Sequence, residues 1–155
     1  LTQFGLDLST DLCRSNVRAL AQRASGQSNR VEIDMESSEY TDRTLAIVRD
    51  MHRESGNVRA VIQAYLHRSA ADIESLNTAG IPVRLCKGAY DEPDTVAIPD
   101  KAGVDRNYVA LMRTLLEHGT YPAIATHDEA MIAECLRFVR EKRIAADRFE
   151  FQMLY

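Results

Sequence analysis

The chain has 155 residues, 45% of them hydrophobic, which suits one sizeable buried core and excludes a disordered or fibrous protein. Nineteen Lys and Arg against 23 Asp and Glu give a formal charge of -4, which argues against non-specific nucleic-acid binding. Cys13, Cys86 and Cys135 fit no zinc spacing or disulfide framework, no apolar run reaches the roughly 18 to 20 residues of a membrane span, and the start is not built like a signal peptide, so a reducing, cytoplasmic setting is expected.

In chain order, residues 1–8 read as a strand remnant and loop, after which Ser9 can cap a helix carrying Leu12, Val17, Leu20 and Ala24. Residues 26–29 break it. Residues 31–35, VEIDM, predict a short strand, and Leu45, Val48 and Met51 mark a helix that Gly56 and Asn57 stop. A third strand is expected over residues 59–66, RAVIQAYL. Ser69 with Asp72 resembles a capping box opening a helix through Ile73 and Leu76, which Gly80 and Pro82 end. The strand at residues 83–87 runs into a proline-containing loop over 91–103. Val104, Tyr108, Leu111 and Leu115 then mark a helix closed by Gly119. Residues 121–126, YPAIAT, are strand-like, Glu129–Lys142 is helical, and residues 149–154 form the last strand.

Strict alternation of strands with helices of about 10 to 15 residues implies parallel strands joined by crossovers, because a parallel neighbour needs a long return path. A doubly wound open sheet and a (β/α)8 TIM barrel both satisfy this. The absence of GxGxxG and GxxxxGK[ST] favours the barrel. The fold class is therefore expected to be α/β, a distorted barrel of which residues 1–155 form part, as a single domain with no internal boundary. Five strands and a remnant fall short of eight, and the chain starts at Leu1, so a fragment of a longer protein is expected.

Functional groups of such a barrel gather at the carboxyl ends of its strands. Asp34 closes VEIDM, Gln63 interrupts RAVIQAYL, Arg84 and Lys87 lie on the PVRLCKG strand at the start of the stretch RLCKGAY, Thr126 and His127 follow YPAIA, and Gln152 lies in FEFQML. Each has an ordinary explanation. Asp34 can pair with an arginine, Gln63 can satisfy buried backbone, and His127 can be a structural hydrogen-bonder. Thr126 with Glu129 reads as a capping box, although a helix starting there could also receive a phosphate. Arg84 and Lys87 are harder to dismiss, because two cations at a barrel mouth must be paired, solvated or bound to an anion. No HxH, HExxH or GxSxG occurs, so no metal site and no hydrolase elbow is expected.

RLCKGAY, preceded by VEIDME and QAYL and followed by ATHD and FEFQMLY, closely resembles the flavin-dependent proline dehydrogenases, in the same order and at similar intervals. The resemblance covers essentially the whole chain, and the five motifs together are far more specific than any one. It implies a distorted barrel that holds FAD non-covalently and oxidises L-proline to Δ1-pyrroline-5-carboxylate. Electrons would pass to a quinone, with peripheral contact to the inner membrane and functional coupling to a pyrroline-5-carboxylate dehydrogenase. Carried over by position, Asp34 and Arg84 resemble the family's active-site residues. Ile33, Gln63, Lys87, Gly88, Ala89, Thr126 and His127 resemble its FAD contacts, and Tyr90 and Leu154 its proline-packing residues. Asp34 is then expected to orient a cationic neighbour and not to act as the base.

The residue chemistry agrees with these roles. Gly88 allows close backbone approach to a large ligand, Lys87 supplies a point charge for a diphosphate, and the planar guanidinium of Arg84 can donate along a flavin edge. The family's ligands for the proline carboxylate, an arginine pair beyond the last strand and a lysine ahead of LTQFGLDLS, have no counterparts in these residues. The chain alone is therefore expected to turn over no proline. Two other readings stand beside this one. Lys87 could serve a Schiff-base aldolase if burial and Arg84 lowered its pKa, or Arg84 and Lys87 could merely pair with Asp34 and Glu36 in a non-catalytic remnant.

Overall fold

A computed structural model describes residues 1–154 of the chain. The chain divides into two compact units, Leu1–Val61 and the residues from Ile62 onward, and the division falls inside the second strand.

In the first unit the expected opening strand is absent. Thr2–Phe4 forms a 3-10 turn closed by Gly5 at φ 92, a conformation that turns the chain back instead of extending it. Ser9 caps α1 (Thr10–Ser25), its hydroxyl accepting from the Leu12 amide. The buried stripe of α1 is Cys13, Val17 and Ala21, at strict four-residue spacing, while Leu12 and Leu20 stand partly exposed at 45% and 40%. Strand β1 (Val31–Ile33) stops two residues earlier than expected, and α2 (Thr41–Ser55) follows a second 3-10 turn. The two helices pack together, with Arg18 clasping Glu54 through two hydrogen bonds of 2.6 and 2.8 Å.

Strand β2 (Val58–Gln63) is buried throughout and pairs in parallel with β1, placing Glu32 opposite Arg59. Arg59 is 1% exposed, and Glu32 meets its guanidinium at 2.6 Å, which offsets the cost of burying the charge.

The second unit continues from the end of β2 through α3 (Ser69–Thr78), β3 (Val83–Cys86), α4 (Lys101–His118), β4 (Ala123–Ala125), α5 (Glu129–Lys142) and β5 (Glu150–Gln152). The strand order is β1-β2-β3-β4-β5, β1 pairs β2, β3 pairs β4 and β4 pairs β5 in parallel, and the fold is α/β as the alternation implied. Helix α4 packs on β3 and α5, and Tyr108, wholly buried, donates its hydroxyl to the carbonyls of Leu85 and Ala125.

Two expected capping boxes are not formed. Ser69 donates instead to the Gln63 carbonyl at 2.5 Å, and Asp72 accepts from the Arg68 side chain, because Ser69 is buried against the end of β2 and cannot turn back to its own helix. At α5 the cap is Asp128, which accepts from the amides of Ala130 and Met131, while Thr126 accepts from the Asp128 amide. Helix α4 starts earlier than the hydrophobic spacing suggested, because Asp100 caps it by accepting from Gly103 at 2.7 Å. Among the described residues no helix is long and apolar enough to cross a membrane, and no cluster of His, Cys, Asp and Glu could hold a metal ion.

Candidate active site

Side chains alternate along a strand, so the parallel register decides which ones share a face. Arg84 lies opposite Ala123, and Ala123 opposite Glu150, which makes one row; Ala125 and Gln152, two residues on, point the same way. The opposite face carries Leu85, Ile124 and Phe151, with Leu85 and Ile124 fully buried. One face of the sheet is thus apolar and covered. The other presents half-buried Arg84, Cys86, Glu150 and Gln152, the last donating to Glu150 at 2.9 Å.

Beyond β3 the chain forms the turn of Lys87, Gly88 and Ala89. Tyr65 is its platform. The Tyr65 amide donates to the Lys87 carbonyl at 2.9 Å, its carbonyl accepts from Ile98 at 2.8 Å, and the Ala64 amide donates to Cys86 at 2.7 Å. Gly88 has φ +103, and a Cβ built there would lie 2.2 Å from Tyr65 Cδ1. The glycine is therefore required by the tyrosine ring packed beneath the turn, a reason internal to the protein that adds to any close approach of a ligand. Burial pushes the Tyr65 phenol up to about 12. Leu66, Ala97, Val96 and Val104 pack around the same ring, so the loop after β3 is pinned to the end of β2.

Lys87 is paired. Its ammonium donates to Asp105 Oδ1 at 2.5 Å and to Asp128 Oδ2 at 2.8 Å, with its side chain 25% exposed. Burial pulls its pKa down, but the hydrogen bonds to the two carboxylates more than offset this and leave it above the ordinary lysine value. Asp128 is held below the usual carboxylate range chiefly by Lys87, and Asp105 by Lys101 and then Lys87. This overturns the Schiff-base reading, which needs a lowered lysine pKa. The remnant reading also fails for two of its four groups, since Lys87 takes Asp105 and Asp128, and Glu36 accepts from the amide and hydroxyl of Thr2.

The remaining residues divide clearly. Gln63 (4% exposed) and Thr126 (8%) are buried at the ends of β2 and after β4. His127 is exposed, and its Nε2 accepts from the Leu154 amide at 3.0 Å, joining an expected cofactor contact to an expected substrate contact. Tyr90 (47%) and Leu154 (79%) stand exposed. Ala89 is exposed on the turn. Ile33 and Asp34 belong to the first unit, Ile33 buried at the end of β1 and Asp34 exposed one residue beyond it.

Tyr65, Asp105 and Asp128 join the site without having stood out in the sequence. Asp128 had a signal, since Asp is as good an N-cap as Ser and better than Thr. Asp105 had only its four-residue spacing from Lys101, which marks an ordinary helix pair.

For a flavin, the donor set suits its parts: a half-buried guanidinium and the Gln152 amide on the polar face, the buried Gln63 amide at the end of β2, and an oriented ammonium with a threonine and a histidine at neighbouring strand ends. At the N-terminus of α5, Asp128 Oδ1 already accepts from the amides of Ala130 and Met131.

The family described as Proline dehydrogenase matches residues 2–155. Proline dehydrogenase 2 of Bacillus subtilis (strain 168) is 43% identical over 155 residues, covering 100% of this chain and 51% of the relative. Proline dehydrogenase of Deinococcus radiodurans is 44% identical over 147 residues, covering 94% and 47%. The chain thus spans about half the length of the curated relatives it matches. Among solved structures, proline utilization A from Bdellovibrio bacteriovorus, inactivated by N-propargylglycine, superposes with a TM-score of 0.86 at 30% identity, over 96% of this chain and 18% of that one. With the family matched over all but the first residue and the β/α order in place, this chain belongs to the proline dehydrogenase family.

Proposed function

We propose that the protein acts in the oxidation of L-proline to Δ1-pyrroline-5-carboxylate, the first step of proline catabolism, with FAD as cofactor and a quinone as final electron acceptor. The observation that carries this reading is the polar face of the sheet, where Arg84 is fixed by strand register beside Ala123, a neighbour too small to cover it, in a chain matched to the family from residue 2 to residue 155. A bound FAD would supply the hydride-accepting chemistry for proline oxidation. Arg84 would donate hydrogen bonds along the flavin edge and stabilise negative charge developing there. Gln63, the Lys87–Ala89 turn, Thr126 and His127 would hold the cofactor, and Asp34 would orient a cationic neighbour. Tyr90 and Leu154 would pack on the proline ring. A cytoplasmic protein with peripheral contact to the inner membrane, coupled to a pyrroline-5-carboxylate dehydrogenase, fits a substrate that is water-soluble and an acceptor that is not.

The test is an absorption spectrum of the purified full-length protein, of which these residues form part, titrated with FAD and followed by L-proline under anaerobic conditions. Flavin bands that bleach on adding proline are expected. A protein that remains colourless and leaves the fluorescence of added FAD unquenched overturns the reading.

A further inference from the structure

The two carboxylates around Lys87 come from different helices and are each anchored independently of it. Asp105 lies one turn into α4, and its second oxygen accepts from Lys101 at 2.7 Å. Asp128 stands at the start of α5, where its Oδ1 accepts from Ala130 at 3.0 Å and Met131 at 3.4 Å while its Oδ2 holds Lys87. A lysine on an open surface rotates freely about its last bonds. Lys87 instead has its Cα just past the β3 ladder and its ammonium tied to two separate helices.

An ammonium has three N–H donors, and two of these are committed inside the protein. Their fixed directions leave the third with a single direction. The charges also balance, since Lys87 and Lys101 are matched by Asp105 and Asp128. An arriving anion therefore meets one aimed donor and little surplus positive field.

We propose that Asp105 and Asp128 are positioning residues for the strand-end site: together they fix Lys87 so that its remaining N–H is presented to one oxygen of the anionic part of the cofactor. This rests on the reading of the site as an FAD site. It assigns a role to two side chains that need not touch the cofactor, and it explains why a lysine intended for an anion keeps two carboxylates beside it. A residue serving only as a bulk positive charge would be weakened by such neighbours.

Asp105→Asn and Asp128→Asn test it, because asparagine keeps the shape and still caps a helix, so α5 stays formed. Two quantities are read: the FAD dissociation constant from flavin fluorescence, and the rate at which Lys87 is acylated by a small amine reagent, located by peptide mass mapping. Each variant is expected to bind FAD about tenfold more weakly, which is about 1.4 kcal/mol, while Lys87 acylates faster. Asp105→Glu should recover most of the affinity. Binding as tight as wild type, or tighter, together with faster acylation would mean that the carboxylates only neutralise Lys87, and the proposal falls while the FAD site stands. A wild-type protein that binds no FAD overturns both.

Discussion

Gly88→Ala should be among the most damaging single-methyl changes in the chain. Two costs combine at this position. The backbone sits at φ +103, beyond the left-handed region that other residues tolerate, and forcing a side chain there costs about 1–3 kcal/mol. The new Cβ would also lie 2.2 Å from Tyr65 Cδ1 and 2.5 Å from Cε1, where ordinary contact is 3.4–4 Å, so the ring must retreat by more than about 1 Å. Tyr65 has nowhere to go, being 7% exposed and hydrogen-bonded through both its amide and its carbonyl. Overpacking of this kind costs about 1–3 kcal/mol, giving a total of about 2–6 kcal/mol against a typical domain stability of about 5–15. Urea unfolding followed by circular dichroism measures it. The double variant Gly88→Ala with Tyr65→Leu separates the terms, because removing the ring relieves the clash but not the backbone strain, so the two changes should be less than additive. An unchanged midpoint for Gly88→Ala would refute the placement of the ring under the turn. Strict additivity would refute the clash.

Borohydride treatment of the protein with a small carbonyl compound should leave no adduct on Lys87, since its ammonium is doubly paired and its pKa is raised; mass mapping of a reduced adduct there would contradict this. Glu134 supplies a pH dependence. The hydrogen bonds from Arg137 and then Arg113 bring its carboxyl down to about 2, so its stabilisation is complete above the ordinary value of 4.5 and is lost as pH falls toward about 2. Screened by solvent around the exposed arginines, the effect should be about 1 kcal/mol, seen as a steeper loss of urea stability between those pH values in wild type than in Glu134→Gln.

Much of the fold was legible because it rests on local patterns. The alternation of β-rich and helical runs predicts parallel strands, and helix α5 falls on the expected residues, Glu129–Lys142. Polar strand ends single out Arg84, Lys87, Thr126 and His127 in the sequence itself. What stayed hidden was partnership at long range. Lys87 meets Asp105 and Asp128 across 18 and 41 positions, and no sequence pattern distinguishes those aspartates from ordinary helix-start residues. The same limit explains the capping errors. Ser69 and Thr126 have the right composition for capping boxes, but burial against β2 takes one and the better-placed Asp128 displaces the other. Gly88 was read as room for a ligand because a glycine shows only that space is needed, not that Tyr65 fills it.

The site therefore combines two kinds of positioning that should respond differently to mutation. Arg84 is set by backbone hydrogen bonding, since its place in β3 opposite Ala123 is shared with every other residue of the ladder. Moving it would require a register shift, and such a shift would turn Leu85 from the buried face to the polar one. Its direction is thus coupled to the stability of the whole sheet, and single substitutions outside the strand should hardly alter it. Lys87 lies beyond the ladder, on a turn whose shape depends on a glycine and a tyrosine and whose charge is aimed by two helices. It can be mis-aimed by one isosteric change without unfolding anything. The group proposed for the reactive edge of the cofactor is held by the most cooperative part of the fold, and the group proposed for its anionic end by the part easiest to retune.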